Sequence, residues 1–146
     1  MIFIIALPIL FLDQFTKLIA VKNLSLNHSV PLIKDVFHLT LIHNRGAAFG
    51  ILKNKVPFFI FVSILAVIFI YPALRNNKNK KYSFYNVSLV LILAGAMGNL
   101  IDRLRFGYVI DFLDLRIWPV FNVADSAITI GAILLGWSIL RTKNQN

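Results

Sequence analysis

Four long apolar segments constrain the fold of this chain more than any other feature. They cover about residues 2–19, 56–74, 83–101 and 118–140. Each is close to the ~20 residues that a helix needs to cross a hydrocarbon core of roughly 30 Å. With 58% hydrophobic and 14% charged residues, they predict an all-α membrane protein of four transmembrane helices, a single integral membrane domain over residues 1–146.

The first apolar segment lacks a basic stretch before it and a small-residue cleavage site after it. It is therefore predicted to be a retained helix and not a cleaved signal peptide. In the connection that follows, Phe37, Leu39 and Leu41 alternate with more polar residues. This period of two predicts a small β-containing element at the extracytoplasmic membrane surface.

Basic residues are densest in the short connection between the second and third segments, residues 75–81. The positive-inside rule places this connection, and with it both termini, in the cytoplasm. The total Lys and Arg count of the long connections argues the other way, but long connections translocate with less regard to charge. The net charge is +9, but the basic residues are not interleaved with aromatic residues on a polar face. This pattern favours anionic membrane lipids over nucleic acid as a partner.

All six acidic residues are aspartates, and four of them, Asp102, Asp111, Asp114 and Asp125, lie in or beside the connection between the last two segments. In an up-and-down bundle these four side chains gather at one membrane face, together with the segment 44–50. Carboxylates near hydrocarbon are costly, so their concentration there predicts a functional site.

Asp111 and Asp125, the latter about two turns into the fourth segment, form a candidate catalytic pair, whereas Asp114 is expected to lie outside it and to face solvent. Two carboxyls in a low-dielectric site do not easily both ionise, so they can share one proton, deprotonate water and protonate a carbonyl oxygen. Two alternatives stay open. Asp111 could be a solvated loop residue, and Asp125 a helix N-terminal anion favoured by the macrodipole.

The neighbouring polar residues allow both supporting and structural roles. Asn122 lies three residues before Asp125, where it could orient a carboxyl or cap the helix. Asn99 and Asp102 have the same spacing at the end of the third segment. Asp102 and Arg103 are predicted to form a positioning ion pair.

Within the first segment, Asp13 and Lys17 are four residues apart and are predicted to be a structural polar pair. The segment Gly46–Gly50 supplies flexible, small-residue backbone for a turn or a close peptide approach. The three histidines show no metal-ligand spacing, and the chain has no cysteine, so no metal site, disulfide or cofactor is expected. Four small residues are predicted to form helix-packing surfaces: Gly95, Gly98, Ala127 and Gly131.

Five motifs, taken in order, resemble the lipoprotein signal peptidase family, the type II signal peptidases of bacteria. They are DQFTK at 13–17, NRGAAFG at 44–50, GAMGNLIDR at 95–103, GYVIDF at 107–112 and FNVADSAI at 121–128. The resemblance extends over essentially the whole chain.

This resemblance implies an intramembrane aspartyl endopeptidase that removes the signal peptide of a diacylglyceryl-modified prolipoprotein before its lipidated cysteine. It implies that Asp111 and Asp125 are catalytic and that a globomycin-type compound inhibits the enzyme. The residues that it implies around the pair, as dyad-supporting or substrate-binding, are Asn44, Arg45, Gly46, Asn99, Asp102, Arg103 and Asn122. Two other function classes stay open from the residues alone: a proton- or ion-coupled carrier and a noncatalytic assembly subunit.

Overall fold

The computed structural model describes residues 2–46, 52–76 and 83–143. Its four helices are α1 (Ile2–Asn23), α2 (Val56–Asn76), α3 (Phe84–Phe106) and α4 (Val123–Lys143). All four are long and apolar enough to cross a membrane, which confirms the predicted membrane fold. The predicted turn at 47–50 and the basic residues 78–81 lie outside the described residues.

Helix α3 extends five residues past the predicted end at 101. It begins after Ser83, whose side chain accepts a hydrogen bond from the Asn86 amide, and it ends at Gly107 in the left-handed conformation with φ 76°. The Gly107 amide donates to the Arg103 carbonyl at 3.0 Å, which closes the last turn. Asp102 and Arg103 therefore lie within the helix, close to its C-terminal end, with Arg103 in the last turn.

Helix α4 begins five residues later than the predicted span of 118–140. Pro119 disfavours helical backbone at the residue before it, and Phe121 pairs with Leu113 through hydrogen bonds of 2.8 and 3.0 Å. Residues 118–122 are therefore not helical, and helix begins at Val123. As a result, Asp125 lies in the first turn of α4 and not two turns inside it.

A three-stranded antiparallel sheet completes the fold, with the order β1 (Ser29–Ile33), β2 (Phe37–Asn44) and β3 (Val109–Asp114). The predicted surface strand is β2, whereas β3 was not predicted. Pairing of β2 with β3 places Ile42 opposite Asp111 and Asn44 opposite Val109. This register brings side chains of β2, in the first connection between helices, next to those of β3, in the third connection.

Helix α3 is the central element, and α1, α2 and α4 all pack against it. A side-chain carbon on Gly131 of α4 would lie 2.8 Å from the Ser88 carbonyl oxygen of α3, and one on Gly98 would lie 2.6 Å from the Asp13 carboxylate. These glycines allow the close helix contacts that were predicted for them. The sheet is attached to α1 by a buried cluster, whose members are Ala20, Leu41, Ile110 and Phe112.

Candidate active site

Asp111 lies in the middle of β3, with only 1% of its surface exposed. Its two carboxyl oxygens accept hydrogen bonds from Asn122 at 2.7 Å and from Asn44 at 2.9 Å. Burial raises the pKa of Asp111 to about 7, with a further increase from the Asp125 carboxylate, while the two amide hydrogen bonds act in the opposite direction. The residue is thus a buried strand residue, which rules out the solvated-loop alternative.

Asp125 is held in the first turn of α4 by two asparagines. Asn99 donates to one carboxyl oxygen at 2.7 Å, and the Asn122 backbone amide donates to the other at 3.3 Å. The Asp125 amide in turn donates to the Asn122 side-chain oxygen at 2.8 Å. This reciprocal arrangement is a capping box, so the predicted capping and orienting roles of Asn122 coexist.

Asn122 connects the two carboxyls of the candidate pair. It is fully buried, its side-chain nitrogen contacts Asp111, and its backbone amide and side-chain oxygen contact Asp125. The same nitrogen also approaches the Asn99 side-chain oxygen at 3.1 Å. The Asn122 side-chain amide therefore connects strand β3, through its nitrogen, to helix α4, through its oxygen.

Beneath the pair lies a buried cation, Lys17, which is 2% exposed. Its ammonium lies 2.9 Å from the carboxylates of Asp13 and Asp102 and donates to the Asn99 side-chain oxygen at 3.1 Å. Because that oxygen accepts from Lys17, the Asn99 amide nitrogen is directed towards Asp125. The predicted pairing of Asp13 with Lys17 is confirmed, but the partner of Asp102 is Lys17 and not the predicted Arg103.

Four further hydrogen bonds extend this network. The Asp13 carboxylate accepts a hydrogen bond from the Ala124 backbone amide of α4 at 2.9 Å. The Asp102 carboxylate accepts one from the Ile110 backbone amide of β3 at 3.1 Å. Gln14 donates to both carboxylates, at 3.1 and 3.0 Å. Gln14 was not predicted as a site residue, although its place between Asp13 and Lys17 in a motif was a usable signal.

Arg103 faces the site from α3. Its guanidinium lies 4.9 Å above the Phe59 ring of α2, and one nitrogen is 3.4 Å from the Gly46 carbonyl oxygen. Asn44 accepts the Gly46 amide at 2.9 Å, so the predicted Asn44 and Gly46 both lie beside the pair. Arg45 is exposed and has no contact to the two carboxyls among the described residues.

Asp114, expected to face solvent, is instead 5% exposed. Burial acts to raise its pKa, but hydrogen bonds from Thr40 at 2.7 Å and Arg116 at 3.0 Å outweigh that effect, so the pKa lies below its ordinary value. It sits at the far end of β3 and stabilises the sheet. It does not join the Asp111 and Asp125 pair.

A cavity of about 430 Å³ adjoins the pair and runs between α2, α3 and α4. Asp125, Asn99 and Arg103 line its polar end, whereas Asp111 is not part of its lining. Apolar side chains of the spans continue the wall into the membrane region. These include Val62, Ala66, Ile92, Ala96 and Ile128. Across residues 2–46, 52–76 and 83–143, no three His, Cys, Asp or Glu side chains are grouped to hold a metal ion.

These features define a polytopic membrane protein in which Asn122 bridges two carboxyls beside an apolar cavity between the helices. A family model described as "Signal peptidase (SPase) II" matches residues 5–141. The chain belongs to this signal peptidase II family, which confirms the resemblance predicted from the five motifs. The protein is therefore a peptidase, and the carrier and the assembly subunit are set aside.

Named relatives and solved structures agree with this assignment. The chain is 48% identical to a lipoprotein signal peptidase of Halothermothrix orenii over 92% of both chains, and 52% identical to one of Moorella thermoacetica over 94% and 91%. A bacterial membrane enzyme solved by the in meso method at 2.3 Å superposes with a TM-score of 0.87 at 37% identity, covering 99% of this chain and 91% of the other.

Proposed function

We propose that this protein is an intramembrane aspartyl endopeptidase that removes signal peptides from diacylglyceryl-modified prolipoproteins, at the bond before the lipidated cysteine. The observation that carries the proposal is the pair Asp111 and Asp125. Asn122 donates hydrogen bonds to both carboxyls, from its side-chain nitrogen to Asp111 and from its backbone amide to Asp125. One of the two, Asp125, lines a cavity that continues between the membrane helices.

The proposed reaction places the shared proton on Asp111, whose pKa burial raises to about 7. Asp125, which accepts hydrogen bonds from Asn99 and Asn122, removes a proton from water as the oxygen attacks the scissile carbonyl. Asp111 protonates the carbonyl oxygen in the same step. When the C–N bond breaks, Asp125 returns its proton to the leaving amine and Asp111 recovers its own, so the pair is restored without a covalent intermediate.

The support for a lipidated substrate is the shape of the cavity. Its polar end holds Asp125 and Arg103, and its wall continues along α2 and α4 to Ala66 and Thr129. A substrate that lies in the bilayer can therefore bring its peptide bond to the polar end while its apolar portions remain beside the helices. Binding of those remote portions contributes to positioning the scissile bond.

The roles that the family resemblance implies for the surrounding residues are consistent with their contacts. Asn99 and Asn122 support the pair, and Lys17, itself paired with Asp102, donates a hydrogen bond to Asn99. Arg103 is available for a substrate carbonyl. We also propose that a globomycin-type compound binds at the same polar end of the cavity and inhibits the protein.

For location, we propose the bacterial cytoplasmic membrane with both termini inside and the pair near the extracytoplasmic face. The basic residues at 75–81 support this orientation. Cysteines introduced at Ser25 and Asn77 should then be labelled by an impermeant reagent from opposite sides. Labelling of both from one side contradicts the orientation.

The experiment that tests the proposed substrate is cleavage of a matched pair of precursors by purified protein. The diacylglyceryl-modified prolipoprotein should be cut before its modified cysteine, and removal of the lipid should reduce kcat/KM by about 100-fold or more, because remote binding energy is lost. Equal cleavage of both precursors contradicts a lipid-dependent peptidase.

A further inference from the structure

A second cavity lies on the opposite half of the helix bundle from the carboxyl pair. It encloses about 350 Å³ between the first half of α1 and the last part of α2, with α3 as its floor. It exists because α1 and α2 each pack against α3 and leave a groove between them. Leu93 and Ala94 form its buried floor.

The groove has the dimensions and chemistry of an acyl-chain site. Its α1 wall runs from Ile2 to Leu10, a rise of ~12 Å along a helix, which is close to the ~15 Å depth of one leaflet of a 30 Å hydrocarbon core. Among the described residues that line it, Tyr71 alone carries a side-chain hydroxyl, and the others are hydrocarbon or thioether. A single chain from one leaflet matches this depth.

The basic residue beyond the Tyr71 end of the groove indicates which lipid headgroup the site would prefer. Arg75 is exposed and lies one helical turn beyond Tyr71 on α2, so it shares that face. The sequence has no acidic residue between Asp35 and Asp102, so neither α2 nor the first four turns of α3 carries a carboxylate that could oppose Arg75. An exposed cation beside an acyl-chain groove favours a lipid with an anionic headgroup.

We propose that this groove, lined by α1, α2 and α3, is a binding site for one anionic phospholipid, with an acyl chain along Leu93 and Ala94 and the phosphate at Arg75. The proposal does not rest on the peptidase activity. The lipid is also placed to stabilise the ion-pair network, since Leu10 lies one turn before Asp13, and Met97 precedes the glycine that packs against the Asp13 carboxylate.

The test compares thermal unfolding of the detergent-solubilised protein with phosphatidylglycerol and with chain-matched phosphatidylcholine. Phosphatidylglycerol should raise the Tm of the parent by about 3 °C or more above the effect of phosphatidylcholine. Native mass spectrometry should show one phosphatidylglycerol retained per chain. Equal Tm shifts with both lipids overturn the proposal, because the site would then take any acyl chain.

Variants separate the groove from general lipid effects. Ala6→Phe fills the groove and should abolish the phosphatidylglycerol shift; Leu7→Trp, on the exposed wall, is the second variant if Ala6→Phe does not fold. Arg75→Gln should remove the preference for phosphatidylglycerol, whereas Arg141→Gln, at the matching end of α4 and outside the groove, should keep it. Retention of the full shift in the groove-filled protein, or an equal loss in both arginine variants, overturns the site.

Discussion

Replacement of Lys17 by Met tests whether the buried cation holds the helices together. Met keeps the length of the side chain but removes the charge. In the parent, the ammonium lies 2.9 Å from both the Asp13 and Asp102 carboxylates and donates to Asn99. The variant therefore leaves two carboxylates without their cation in a site where each is at most 1% exposed.

The size of the effect follows from that burial. Removing one partner of a buried ion pair costs about 3–5 kcal/mol, because the remaining charge stays desolvated. Lys22→Met, in the exposed last turn of α1, is the matched control and should change the free energy of unfolding by less than about 0.5 kcal/mol. Asp102→Asn added to Lys17→Met should cost less than the sum of the two single changes, with a coupling of about 1–3 kcal/mol.

The assay is unfolding of the purified protein in mixed micelles, followed by tryptophan fluorescence across a denaturing detergent titration. A Lys17→Met protein as stable as Lys22→Met would refute the role of Lys17 as the shared counter-ion. Strict additivity of Lys17→Met and Asp102→Asn would refute their direct pairing.

Two further predictions concern helix packing and proton sharing. Gly131→Ala should destabilise the protein by about 1–3 kcal/mol in the same titration, because its new carbon would lie 2.8 Å from the Ser88 carbonyl oxygen. Gly136 faces open space, so Gly136→Ala is the control and should not destabilise the protein. Equal effects of the two substitutions would contradict the proposed helix packing. Because the folded-state pKa of Asp111 is raised to about 7, its proton is present below that pH and lost above it, so kcat/KM should fall as pH rises past about 7. A pH–rate profile that stays flat to about pH 9 would contradict a proton held by Asp111.

Hydropathy located the helices because about 20 consecutive apolar residues have few other stable arrangements. Helix ends were less accessible from the sequence. An apolar run continues through Trp118 and Val120, but Pro119 and the pairing of Phe121 with β3 keep that stretch out of the helix. The strand β3 was missed because residues 109–114 are buried from both faces, so they lack the alternation that marked β2.

The membership of the candidate site was predicted better than its contacts. The order of the apolar segments predicted that Asp111, Asp125 and Asn122 lie close together, because the ends of their segments are expected at one membrane face. It could not predict that Asp102 pairs with Lys17, because that partner lies on α1, 85 positions earlier in the sequence. The burial of Asp114 likewise depends on Thr40 from another strand, a contact fixed by sheet register and not by local sequence.

The central claim is that Asp111 and Asp125 together carry out peptide hydrolysis, and the most direct measurement is cleavage of a diacylglyceryl-modified prolipoprotein by the parent, Asp111→Asn and Asp125→Asn proteins. Asn keeps the shape of each side chain and removes its proton chemistry, so single-turnover rates should fall by about 1,000-fold or more in both variants. Asp35→Asn, in an exposed turn, is the matched control and should cleave at the parent rate. Cleavage near that rate by either dyad variant, with unfolding unchanged from the parent, would contradict the mechanism.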